Sequence, residues 1–159
     1  SATDTPPRWV PLPASSPASQ FDLHSLFAGP LGFACDWTKL DTQAKERIRQ
    51  EINAYKKVRP MLCKDYYPLF PQTFDVTQWA GWEFTDPMTG EGFLVVLRPQ
   101  ESVYAAADVR LRGVEPDKQY KLSRIDGSQA RDVSGQELLS GVAIPLRRGE
   151  SEALRFQRQ

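Results

Sequence analysis

Histidine and cysteine are scarce in this chain of 159 residues: His24 stands alone, and Cys35 and Cys63 are the two thiols. Two cysteines allow one disulfide, but a chain of this size can bury enough surface to fold without it. Cysteine usage therefore leaves the compartment open. With one histidine, a zinc site would need a carboxylate or a partner chain to complete its usual four ligands, so two buried or free thiols are expected, with no metal; no cofactor is expected either. Long apolar runs are missing too; none approaches the roughly 18 residues of a membrane span. The N-terminus lacks the basic start and apolar core of a signal peptide, which leaves export undecided. Neither sign of charge dominates, with 20 basic and 20 acidic residues and a pI near 6.6. That balance gives no reason to expect nucleic acid or an anionic membrane as partner. There is no glycine loop for phosphate, no nucleophile elbow and no internal repeat.

What is present is alternation. In Trp79–Thr85, Ala80, Trp82 and Phe84 alternate with Gly81, Glu83 and Thr85, the period of a strand with one apolar and one wetter face. Asp86-Pro87-Met88-Thr89-Gly90 reads as a turn, with proline setting its start and glycine supplying a positive φ. Gly92–Leu97 is apolar on both faces, as in a strand covered from two sides. A third strand follows Pro99, with Ala107, Val109 and Leu111 inward and Asp108, Arg110 and Arg112 outward. Gln119–Ile125 is a further strand, and Asp126-Gly127 a hairpin signal. Ser134 and Glu137 have capping-box spacing over a short helix. Val142, Ile144 and Leu146 alternate again, with Pro145 pointing to an edge, and Leu154 and Phe156 close the sheet. Six or seven short strands with turns every 8–12 residues predict a mainly β protein, an antiparallel β-sandwich preceded by an N-terminal helical segment.

That helical segment reads in three pieces. Residues 1–20 carry five prolines and read as an extended arm. Phe21–Ala28 suits two helical turns ended by Gly29-Pro30. Its histidine, His24, is expected to be a surface or internally satisfied residue. Leu31–Leu40 reads as a hydrophobic linker, and Asp41 as the N-cap of an amphipathic helix over Thr42–Val58. Ala44, Ile48, Ile52 and Tyr55 form its apolar stripe, while Glu51 falls among the charged residues of the remaining surface. The stripe needs a partner, each buried aliphatic side chain being worth roughly 1.5–3 kcal/mol.

Four blocks carry a resemblance: KDYYPLFP at 64–71, WAGWEFTDPMTGEGFLVVLRPQES at 79–102, LRGVEPDKQYKL at 111–122 and SGQELLSGVAIPL at 134–146. In order and spacing they resemble the C-terminal part of melibiase-type α-galactosidases of glycoside hydrolase clan D. The resemblance implies a (β/α)8 catalytic barrel followed by an antiparallel β-sandwich. It divides the chain into residues 1–20, an extended arm or the end of a barrel strand and its loop; residues 21–63, the last helices of a barrel; and residues 64–159, the sandwich. The implied parent reaction is removal of terminal α-linked galactose by double displacement, without a metal. The implied partner is the catalytic barrel or a second chain that supplies it.

A glycosidase needs two carboxyl groups, about 5–5.5 Å apart for retention of configuration. The resembling family takes both from barrel strands upstream of the matched blocks, and neither motif occurs in this sequence, so no catalytic residue carries over. Asp22, Asp36, Asp41, Asp65, Asp75 and Asp86 fall in cap, turn and linker contexts instead. The expected role is thus a non-catalytic C-terminal module that stabilises a barrel. A second reading is a carbohydrate-binding module. Trp79 falls by parity on the face of Glu83, opposite Trp82, which leaves it a candidate for exposure; Tyr66 and Tyr67 accompany it, with Trp37 as a further aromatic. The favoured reading of these rings is core or seam filling. A third reading gives Trp9, Ser15 and Ser16 a place at a barrel mouth, where loops beyond strand ends carry functional groups.

Overall fold

The computed structural model describes residues 8–11, 19–34 and 36–159. Its centre is an antiparallel sheet of six strands: β3 (Asp65–Pro68), β4 (Ala80–Asp86), β5 (Glu91–Leu97), β7 (Gln119–Arg124), β8 (Arg131–Ser134) and β10 (Ser151–Arg158). Their order across the sheet is β3-β4-β5-β10-β7-β8. The strand expected after Pro99 exists as β6 (Ala106–Val109), but it leaves this sheet and pairs with β9 (Val142–Pro145) in a separate ribbon. Leu154 and Phe156 belong to β10, which lies in mid-sheet between β5 and β7. The mainly antiparallel sandwich expected from alternation is the observed fold.

Both faces of the sheet are covered, as the doubly apolar β5 requires. Leu94 and Val96 face the ribbon and the short helix α3 (Gly135–Ser140), packing with Val109, Leu111, Tyr120 and Phe156. Phe93, Val95 and Leu97 face the other way and join Trp82, Phe84, Phe27 and Val58. The β4–β5 turn forms as its residues dictate: Asp86 Oδ1 accepts from Met88 N–H at 3.0 Å, and Gly90 takes φ +70°.

The second cover is the helical segment. Ser19 and Asp22 form a reciprocal capping box on α1 (Gln20–His24). This helix is shorter than the two turns expected, because beyond His24 the chain tightens: Leu26 N–H donates to Leu23 and Phe27 N–H to His24. The helix α2 runs over Thr42–Val58, capped by Asp41, whose Oδ1 accepts from Ala44 N–H at 2.7 Å. Part of the segment expected as a linker is a strand, β2 (Leu31–Ala34), which pairs in parallel with β1 (Arg8–Pro11). A glycine among only four residues gives too short an alternation to mark a strand in the sequence. The order β1-α1-β2-α2 is that of consecutive parallel βα units.

Candidate functional site

The helical segment meets the sandwich through a run of polar side chains, buried except for the exposed Gln20 at its end. Gln20 Nε2 donates to Glu51 Oε1 at 3.1 Å. Glu51 Oε2 lies 3.3 Å from His24 Nε2, and His24 Nδ1 is 2.8 Å from Ser151 Oγ. The run links α1, α2 and the first residue of β10, and His24, Glu51 and Ser151 are all buried. The carboxylate beside Nε2 favours the proton on that nitrogen, which leaves Nδ1 to accept from the Ser151 hydroxyl. His24 is therefore satisfied internally, one of the two outcomes expected of it. Glu51, read in the sequence as part of a solvated face, is buried instead. Its signal was its place three residues after Ile48, inside the apolar stripe.

Serine, histidine and carboxylate in a row invite comparison with an acyl-transfer triad, but the backbone donors just before the serine are taken. Gly149 N–H is committed to Arg98 and Glu150 N–H to Arg147, and Ser151 lies in the β5–β10 ladder. The two N–H groups that precede Ser151 are therefore not left to hold a developing oxyanion. The run acts as a polar seam. Around it Tyr55 Oη donates to Gly29 O at 3.0 Å, and the Phe27 ring meets His24 and Tyr55 edge-on. An open cleft of about 540 Å³ borders the seam, with Phe21 and Ala54 beside the Arg124–Glu152 ion pair.

Glu83 overturns the expectation of a wetter face on β4. Its side chain is fully buried. Oε2 accepts from Arg112 N–H at 2.8 Å, and Oε1 accepts from Gly113 N–H at 2.9 Å and from the Thr85 hydroxyl at 2.8 Å. Burial pushes its pKa above the ordinary glutamate value, against the opposing pull of those hydrogen bonds. The parity of β4 was right. What covers the face is a bend thirty residues downstream, and its backbone donors make the burial tolerable.

Trp79 fills core, as the favoured reading of these rings had it, and its candidate exposure is not met. It lies on the Glu83 side of the sheet, as parity placed it, but that side is covered and Trp79 is only 6% exposed. Its Nε1–H donates to Tyr104 O at 3.2 Å. Tyr66 is half exposed and rests against Phe84; Tyr67 is half-buried and opposite Glu83. As neighbours on one strand they leave opposite faces of the sheet, so the structure does not bring Trp79, Tyr66 and Tyr67 together. Trp9 belongs to β1, paired with Gly32. Ser15, Ser16 and Cys35 lie outside the described residues. Trp37 borders a cleft on α2 with Ile48 and Ile52, and Cys63 is an exposed free thiol. Asp22, Asp36 and Asp41 cap helical turns, and Asp75 and Asp86 pin loops, as their contexts suggested.

Beside Trp79 a second cleft opens, about 470 Å³ in volume, between residues 70–79 and 104–107. Tyr104, which the sequence reading did not single out, forms part of its wall and is 62% exposed. An aromatic in a loop has no periodicity to mark it. Among the described residues no group of three or more His, Cys, Asp or Glu is arranged to hold a metal ion. No helix among them is long and apolar enough to cross a membrane.

Fold and site together define a β-sandwich domain seated on consecutive βα units. Comparison with known proteins gives that class a more particular setting. The bifunctional α-galactosidase/sucrose kinase AgaSK of Mediterraneibacter gnavus is 28% identical over 131 residues, which cover 81% of this chain and 14% of that protein. The α-galactosidase Mel36A of Lactobacillus acidophilus is 24% identical over 79% of this chain and 16% of its own length. Among solved structures, the GH36 α-galactosidase AgaA of Geobacillus stearothermophilus, in complex with raffinose, superposes with a TM-score of 0.74 at 25% identity. That match covers 87% of this chain and 19% of AgaA. No family model matches the chain. The chain is thus similar to the C-terminal part of GH36 α-galactosidases, and it spans about a seventh to a fifth of the length of these relatives. In them this domain is one part of a larger α-galactosidase chain.

Proposed function

We propose that the chain is the accessory C-terminal module of an α-galactosidase-like glycoside hydrolase and stabilises that enzyme's catalytic barrel. The observation that carries this reading is the parallel β1–β2 pair. Among the described residues it has two strands and no further neighbour on either side. Parallel sheets are found with more strands and with both faces covered, so such a pair belongs in a larger parallel sheet. On this reading residues 21–63 are the last helical part of a barrel, residues 64–159 are the sandwich, and residues 1–20 hold the end of a barrel strand and its loop. The polar seam of Gln20, Glu51, His24 and Ser151 then fixes the angle between barrel and sandwich.

The test has two parts. The isolated 18.0 kDa chain is assayed on a chromogenic α-galactoside, and no turnover is expected. The chain is also grafted in place of the matching region of the G. stearothermophilus AgaA enzyme, where it is expected to restore thermal stability lost on deleting that region. Turnover by the pure chain would sink the reading, since it would demand a carboxylate pair that the sequence does not offer.

A further inference from the structure

We propose that the cleft between residues 70–79 and 104–107 binds a neutral pyranoside, stacked on Tyr104 and hydrogen-bonded by Asp75 and Gln78. Phe70, Trp79 and Tyr104 supply aromatic wall, and Thr73, Asp75 and Gln78 supply polar groups. No lysine or arginine lines the cleft, which argues against a phosphorylated or carboxylated ligand. The lining suits a ligand with one apolar C–H face and hydroxyl groups on its rim. Its volume of about 470 Å³ falls in the range of small-molecule sites.

The polar side is arranged to accept hydroxyl donors. Asp75 Oδ1 is filled by Thr77 N–H at 2.9 Å and the Thr77 hydroxyl at 2.7 Å. Oδ2 has a contact of only 3.5 Å, from Gln78 Nε2. The Thr77 hydrogen bonds hold the Asp75 pKa below its ordinary value, so Oδ2 is an acceptor at neutral pH. Both walls are fixed before any ligand arrives. Asp75 N–H donates to Thr73 Oγ1 at 3.0 Å. Across the cleft the Trp79 indole holds Tyr104 O, and the buried Arg98 guanidinium donates to Ser102 O at 3.0 Å and Leu146 O at 2.6 Å. Leu146 N–H completes the clamp on Ala105 O. An exposed aromatic ring on a backbone anchored at three points loses little freedom on binding. This site uses the buried Trp79 as a support and takes Tyr104 for the stacking role.

The experiment is a titration of the full chain with raffinose, methyl α-galactoside and maltose, followed through the Trp79 indole N–H cross-peak and the amides of residues 73–78 and 104–107. At least one sugar is expected to give saturable shifts confined to those residues, with a dissociation constant of about 0.1–10 mM. Tyr104→Ala and Asp75→Asn are each expected to weaken binding at least about tenfold. Tyr104→Ala is expected to leave Tm within about 2 °C, because the exposed side chain is removed while the carbonyl that holds Trp79 remains. Three results would overturn the proposal: no saturable shift with any of the three sugars, shifts centred on another cleft, or affinity unchanged in both variants. The accessory-module reading is tested by the AgaA graft, so either idea can fail while the other stands.

Discussion

Glu83 is the residue whose energetics most constrain the sandwich. Glu83→Ala would leave the N–H groups of Arg112 and Gly113 facing a cavity. A loss of about 3 kcal/mol is expected in urea denaturation. Its pKa is raised, so just above the usual glutamate value near 4.5 the folded state holds the proton more firmly than the unfolded chain. The Glu83 contribution to stability therefore falls as pH rises from about that value through the folded pKa, and is level beyond it. Glu83→Gln is expected to remove this slope from a series of denaturation curves between about pH 4 and 8. Asp86 works in the opposite sense. The Lys64 ammonium, 3.0 Å away, and then Met88 N–H hold its pKa low, so its contribution is present above the unfolded value and is lost as pH falls through the folded one. At the seam, Ser151→Ala removes the hydroxyl from buried His24 Nδ1 and is expected to cost about 1–2 kcal/mol.

Among the elements, the β4–β5 hairpin and α2 make separate demands on single positions. A Cβ at Gly92 would run into the Phe156 ring and the Phe84 carbonyl. Gly92→Ala is therefore expected to lower stability by about 3 kcal/mol, read from the thermal midpoint. Asp41→Ala removes the cap of α2 and is expected to cost about 1 kcal/mol. These are also the elements most legible in the sequence. Asp41, the period of Ala44 and Ile48, and the run of lysines before Arg59-Pro60 gave α2 its full length. The alternation of Ala80, Trp82 and Phe84 gave β4 its parity. The sequence could not say whether a face would be wet, because that depended on Arg112 and Gly113 folding back across β4. The wetter face expected around Glu83 is one consequence; Trp79 fills core, as the favoured reading of these rings had it. The burial of Glu51 is another, since its cover comes from α1 and β10. The Tyr104 cleft has no mark in the sequence because it joins two loops, and loops carry no period.

For the molecule as a whole, the two apolar clusters have different owners. The cluster with Leu94, Val109 and Phe156 is closed by the sandwich's own ribbon and α3. The cluster with Trp82, Phe84, Phe93 and Val95 is closed by Phe27 and Val58, with Phe21, Ala54 and Tyr55 around it. Residues 64–159 alone would carry that second face uncovered. They are expected to aggregate or bind a hydrophobic dye strongly, whereas the full chain stays dispersed; light scattering and dye fluorescence measure the difference. That outcome would make the proposed division at about residue 63 one of architecture and not of independent folding.

The place of β10 sets a timetable for synthesis. This strand joins β5 to β7, yet of the ten described strands it leaves the ribosome after the other nine. Until residue 158 has emerged from the exit tunnel, β5 and β7 each present an unpaired edge, and the sheet exists as two halves. A nascent chain arrested before Ser151 would offer two open strand edges to chaperones or to other nascent chains. Closure must come late, through pairing of residues made far apart in time.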